Sequence, residues 1–187
     1  MFINHNKEKI SNAITYFLNR TSWSGKKKIY KLLFILDFEH FKQTGRSVTG
    51  FDYFAWRMGP VPAELDEAID NNSEDILDNF DIEVQKGKRN IKTVYLQPKK
   101  EFDARFFSRR ELQLLENIAE RFEMSSGDDM VWFTHREDEP WYRVWEIEKR
   151  RFDKIPYEYV LDELEKSDKE NILEVARERT AFLEAYR

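Results

Sequence analysis

The sequence predicts an α+β fold: a mainly helical domain around one buried central helix, with a small antiparallel β-sheet of about three strands. Three observations predict it. The stretch KKKIYKLLFILDFEHFKQT, from Lys26, carries apolar residues on two sides of a helix. Phe51 to Met58, Phe80 to Gln85 and Ile91 to Gln97 alternate with the period of a strand. The second half repeats the spacing of helix starts, Ser108 with Glu111, Ser126 with Asp129 and Ser167 with Glu170.

The first element is a helix from Lys7 to Asn19 with Asn6 as its cap, and Ile10, Ala13, Ile14, Phe17 and Leu18 form one buried face. The central helix follows. At about 100° per residue, Ile29, Leu32, Leu33 and Leu36 share one direction, while Tyr30, Phe34, Phe38 and Phe41 cluster roughly 100 to 180° away. A helix with two apolar stripes is covered on two sides. The remaining wedge holds Lys28, Lys31, Ile35, Glu39 and Lys42 and is expected to face solvent. Lys26, Lys27 and Lys28 place three cations in the first turn, where the helix dipole favours anions, so they read either as a solvated cluster or as contacts for an anion or an acidic partner. Asp37 and His40 fall on enclosed parts of the wheel and need partners. The turn from Gly45 to Gly50 offers its backbone for that purpose. The competing reading is an acid/base pair in a pocket.

Phe51 to Met58 is apolar on both faces and reads as a covered strand, which Gly59-Pro60-Val61-Pro62 breaks before a helix starting at Pro62 and ending near Asn71-Asn72. Phe80 to Gln85 and Ile91 to Gln97 make a hairpin with the basic tip Lys86 to Asn90, and with Phe51 to Met58 they complete the sheet. Leu112, Leu115, Ile118 and Phe122 follow the first Ser-x-x-Glu signal at helical spacing. Met130, Val131 and Phe133 follow the second, and Pro140 and Pro156 open further segments. Glu146 to Arg151 is mostly charged and marks the expected boundary between residues 1–146 and a helical extension, 147–187. In that extension Ile172, Val175, Ala176, Phe182, Leu183 and Tyr186 form an apolar stripe, either packed on the domain or open to a partner.

The 187 residues carry a formal net charge of −5, which argues against a nucleic-acid footprint over the whole surface. Cysteine is absent, so disulfides, thiol catalysis and cysteine-ligated zinc are excluded. The N-terminal stretch MFINHNKEKISNAITYF has charges inside its apolar pattern and reads as neither signal peptide nor membrane span, so a cytoplasmic location is expected. A catalytic or metal reading pairs His135 with His40, Asp37 or Glu139, residues far apart in sequence.

Lys31-Leu32-Leu33, Asp37, His40, Gly45, Thr49-Gly50, Tyr53 and Gly59-Pro60-Val61, followed by Leu65, resemble the Panacea domain, also described as the SocA-like or GepA-like phage-associated domain. Thr134-His135 and Pro140-Trp141 are similar to that family's second block. The resemblance implies a bacterial antitoxin of a toxin-antitoxin system. Such a protein neutralises a toxin encoded by a neighbouring gene, often one that attacks translation, through direct protein contact or delivery to a protease. It implies no enzymatic activity, cofactor or metal, and gives the motif residues a structural or partner-positioning role. DNA-binding regulation of the operon is the first alternative, and a hydrolase or metal site at Asp37, His40 and His135 the second.

Overall fold

A computed structural model describes residues 7–86 and 92–185. The organising element is the helix Lys26–Thr44 (α2), preceded by Lys7–Arg20 (α1). Every α2 residue from Lys28 to Phe41 except Glu39 is buried. The solvent-facing wedge expected at Lys28, Lys31 and Ile35 is therefore corrected: all three are enclosed. The cause is the second half of the chain. The helices Arg109–Arg121 (α5) and Gly127–Thr134 (α6) pack on α2 and cover that side over Lys28 to Ile35, while Glu39 and Lys42 of the same wedge stay partly exposed. Both lysines are accommodated because carbonyl oxygens receive their ammonium groups, as described below. Gly45 ends α2 with φ of 70° and donates its N–H to the Phe41 carbonyl, a left-handed stop that suits glycine. The Asn6 cap lies outside the described residues.

The expected three strands divide between two antiparallel hairpins. Tyr53–Trp56 (β1) pairs with Gly59–Pro62 (β2), and Phe80–Lys86 (β3) pairs with Lys92–Pro98 (β4). The Gly-Pro-Val-Pro segment is thus a strand rather than a strand breaker. Its prolines are tolerated because their partners, Ala55 and Tyr53, bond in the other direction: Ala55 exchanges hydrogen bonds with Phe152 and Asp153, and Tyr53 accepts one from the Ile155 N–H. No N–H is required of Pro60 or Pro62. Residues 152–155 also occupy the free edge of β1, which leaves no edge there for β3 or β4. That second hairpin instead meets the start of α2 through a bridge between Gly25 and Tyr95. Its basic tip lies mostly outside the described residues. β1 is covered on one face only, since Trp56 and neighbouring Met58 are exposed.

The helices Ala63–Asp70 (α3) and Glu74–Leu77 (α4) join the hairpins. Both expected capping boxes form, Ser108 with Glu111 before α5 and Ser126 with Asp129 before α6. Pro140–Tyr142 (α7) runs into a π-helical turn, Arg143–Ile147, closed by the Glu148 N–H on the Arg143 carbonyl at 2.9 Å. After a 3₁₀ segment, Tyr157–Leu161, the last helix spans Lys166–Ala185 (α8). The cap expected at Ser167 is corrected, because the helix already includes Lys166 and the Lys169 N–H bonds to the Glu165 carbonyl. The α8 stripe is partly covered: Ile172, Val175 and Ala176 are half-buried, and Phe182 is exposed. The Leu183 side chain and Tyr186 lie outside the described residues. Residues beyond Ile147 are tied to α2 by Tyr157, whose ring stacks on Phe38 at 4.4 Å and whose hydroxyl donates to the Phe51 carbonyl at 2.7 Å.

Candidate functional site

The motif residues gather at two points along α2. The first is Asp37, fully buried about two helical turns before the Gly45 stop. Its Oδ1 accepts the N–H groups of Val48 and Thr49, both at 2.7 Å. Its Oδ2 accepts the hydroxyls of Thr49 and, at 2.7 Å, Tyr53. Burial pushes the Asp37 carboxyl above the usual carboxylate range, and the four donors pull against that rise. His40, one turn on, brings Nδ1 to 2.6 Å from the Arg46 carbonyl. The sequence placed both groups against this turn. Tyr53, a motif residue by resemblance, was not placed at this point; it reaches Asp37 from β1 and so ties helix, turn and strand together.

The second point is Lys31. Its Nζ donates to the Pro60 carbonyl at 3.0 Å, and burial, assisted by the neighbouring charge of Lys27, lowers its pKa to about 7. Gly59 lies against it at φ of 101°. A Cβ there would meet Lys31 Cε at 2.8 Å and Thr134 Oγ1 at 3.0 Å, so no larger residue fits without displacement. Thr134 is buried and donates back to the Met130 carbonyl at 3.1 Å. The His135 ring stacks on Trp141 with centroids 3.6 Å apart, and Trp141 Nε1 donates to the Trp56 carbonyl at 2.8 Å. Burial, then the Lys31 charge, lowers the His135 pKa to about 4, which makes the ring neutral near pH 7. Leu32, Leu33 and Val61 are core residues, and Pro140 is buried at the start of α7. The two sequence blocks therefore meet: the Gly-Pro-Val strand, the Thr-His helix end and the Pro-Trp turn close over Lys31.

Asp37, His40 and His135 are not joined. Asp37 and His40 are bonded to the turn after α2, while His135 stacks beside Lys31, and Glu139 is bonded to Arg136 at 3.1 Å. Among the described residues, no group of three or more His, Asp or Glu side chains is placed to hold a metal ion. The lysine cluster also disperses. Lys26 forms ion pairs with Asp66 at 2.9 Å and Asp70 at 2.5 Å, and only Lys27 of the three is exposed. Lys28 is buried, its Nζ donating to the carbonyls of Ser22 at 2.7 Å, Phe122 at 2.9 Å and Glu123 at 3.3 Å.

That carbonyl cage has a consequence that sequence reasoning missed. It joins the loop before α2 to the loop after α5, and the residues following its ligands are Trp23, 59% exposed, and Met124, 64% exposed. Ser22 reinforces the junction, its N–H on the Glu123 carbonyl at 2.8 Å and its hydroxyl on Met124 Sδ at 3.6 Å. Trp23 holds φ of 51°, an unfavourable setting for a bulky residue. Trp132 on α6 is 71% exposed, with Asp128 and Asp129 on the same helical face. The available signal was Trp23 between two serines and Trp132 out of phase with Met130 and Phe133.

The family described as Antitoxin SocA-like, Panacea domain matches residues 29–142. No curated protein and no solved structure matches the chain. Among the described residues, no helix is long and apolar enough to cross a membrane.

Proposed function

We propose, from the premise that this chain belongs to the SocA-like Panacea family and so has an antitoxin role, that it neutralises one cognate protein toxin by direct contact. The observation that carries the reading is the family match, which spans the central helix, both hairpins and the Thr-His and Pro-Trp elements. The internal bonding of the motif supports binding over chemistry. Asp37, the residue best suited by type to act as a base, has each carboxylate oxygen receiving two donors. The contact surface would then consist of exposed side chains carried by this framework.

The exposed Trp23, Met124 and Trp132, with the exposed Glu123, Asp128 and Asp129, would suit a basic surface of the toxin, such as one that engages RNA in translation. Charge would steer the encounter and the aromatics would hold the complex. The test is co-expression of the tagged protein with the neighbouring gene's product, beside a growth assay with that product alone. Toxicity alone, normal growth together and retention on the tag support the proposal. A harmless neighbour that is not retained overturns it. Association rates that do not change with salt overturn the steering step.

A further inference from the structure

An open cleft of about 1440 Å³ surrounds the Gly45–Gly50 turn, bounded by the start of α5, the 150–158 segment and α8. Its composition is opposite to that of the whole molecule. The chain carries −5, yet the cleft is lined by seven Lys and Arg side chains against three carboxylates among the described residues. Lys9 and Lys154 are partly neutralised, by Glu111 at 2.6 Å and Asp52 at 2.6 Å, and Arg150 is paired with Glu148 at 3.0 Å and Asp153 at 3.1 Å. Arg46, Arg109 and Arg110 are exposed and make no ion pair among the described residues. They come from two separate elements, the turn after α2 and the first turn of α5, and converge on one cavity. Two of these arginines stand at a helix N-terminus, where the dipole adds positive potential, while the Glu111 carboxylate of the same turn is taken up by the Ser108 N–H and Lys9.

We propose that this cleft binds an acidic polypeptide segment of a protein partner. Three features favour peptide over nucleic acid. Asp52, Glu111 and Glu158 stand among the cations and would oppose a continuous phosphate chain, whereas a peptide can space its carboxylates around them. Among the described residues lining it, no base-stacking platform is on offer: Phe41 is 6% exposed, and Tyr157 is committed through its ring to Phe38 and Phe41 and through its hydroxyl to Phe51. The α8 wall presents half-buried Val175 and Ala176, which suit apolar side chains alternating with carboxylates. Guanidinium groups bind carboxylates in bidentate fashion, which gives such a segment a defined register. Naming the toxin as donor of the segment rests on the function proposed above; the chemistry of the cleft does not.

The test uses the full chain alone, so failure of the antitoxin reading leaves it intact. A fluorescein-labelled peptide alternating glutamate and leucine is titrated and followed by anisotropy, with a single-stranded thymidine oligonucleotide as competitor. The expected result is saturable peptide binding that weakens with salt and loses at least tenfold in affinity in the Arg46→Glu, Arg109→Glu, Arg110→Glu variant. A milder variant, Arg109→Gln with Arg110→Gln, provides the same comparison should the triple reversal fail to fold. Absent peptide binding, equal binding by the folded variants, or tighter binding of the oligonucleotide overturns the proposal.

Discussion

Replacing Asp37 by alanine removes the acceptor for four buried donors: the N–H groups of Val48 and Thr49 and the hydroxyls of Thr49 and Tyr53. Hydrogen bonds to a charged group contribute about 1.5–3 kcal/mol each, and a buried donor left without a partner costs about 1–3 kcal/mol. Against this stands relief from burying a carboxylate, the effect that raises the Asp37 pKa. Rotation of the two hydroxyls recovers a further part. The net expectation is a loss of about 4 kcal/mol, a large share of the roughly 5–15 kcal/mol that holds a domain together. Asparagine is the sharper probe. Its oxygen can still serve the two N–H groups while its amide displaces the two O–H donors, so Asp37→Asn is expected to lose about 2 kcal/mol. Urea unfolding followed by tryptophan fluorescence gives both values. Variants within about 1 kcal/mol of the parent, or asparagine as damaging as alanine, would refute this account of the four bonds.

Three further outcomes follow from the same framework. Because the Lys31 pKa is lowered in the folded state, the unfolded chain binds more protons between about pH 7 and 10, so stability should rise across that window, by on the order of 4 kcal/mol. Lys31→Met should flatten the rise and leave stability at pH 7 equal or higher, as measured by urea midpoints at each pH. Gly59→Ala forces a Cβ to 2.8 Å from Lys31 Cε at φ of 101° and should cost about 2–4 kcal/mol in the same assay. Gly45→Ala would set a Cβ 2.5 Å from the Ile172 carbonyl, so hydrogen exchange should show lost protection in α8 while the α1 and α5 amides keep theirs.

Much of this was legible because it depends on local spacing. The two apolar stripes identified α2, the Ser-x-x-Glu and Ser-x-x-Asp signals located α5 and α6, and the angular positions of Asp37 and His40 placed them against the following turn. What was not legible depends on distant segments. Lys28 and Lys31 carry the sequence mark of solvent exposure, yet the end of α5 and β2 bring carbonyl oxygens to them from up to 95 residues away. The prolines of β2 looked like breakers because the partners that relieve them, residues 152–155, arrive after a further ninety residues or so. Ser167 satisfies the capping pattern, but Lys166 already belongs to α8. The exposed platform was hidden for the same reason: Trp23 and Met124 become neighbours only through the Lys28 cage.

Under the proposed function, the buried motif holds the fold while exposed side chains hold the partner. The most direct measurement is the equilibrium affinity for the co-purified toxin of two variants, each tested where it is fully folded. Asp37→Asn is expected to bind within about twofold of the parent, whereas Trp23→Ala with Trp132→Ala should lose tenfold or more with stability changed by less than about 0.5 kcal/mol. Lost binding by folded Asp37→Asn, with the double tryptophan variant unaffected, would contradict the account.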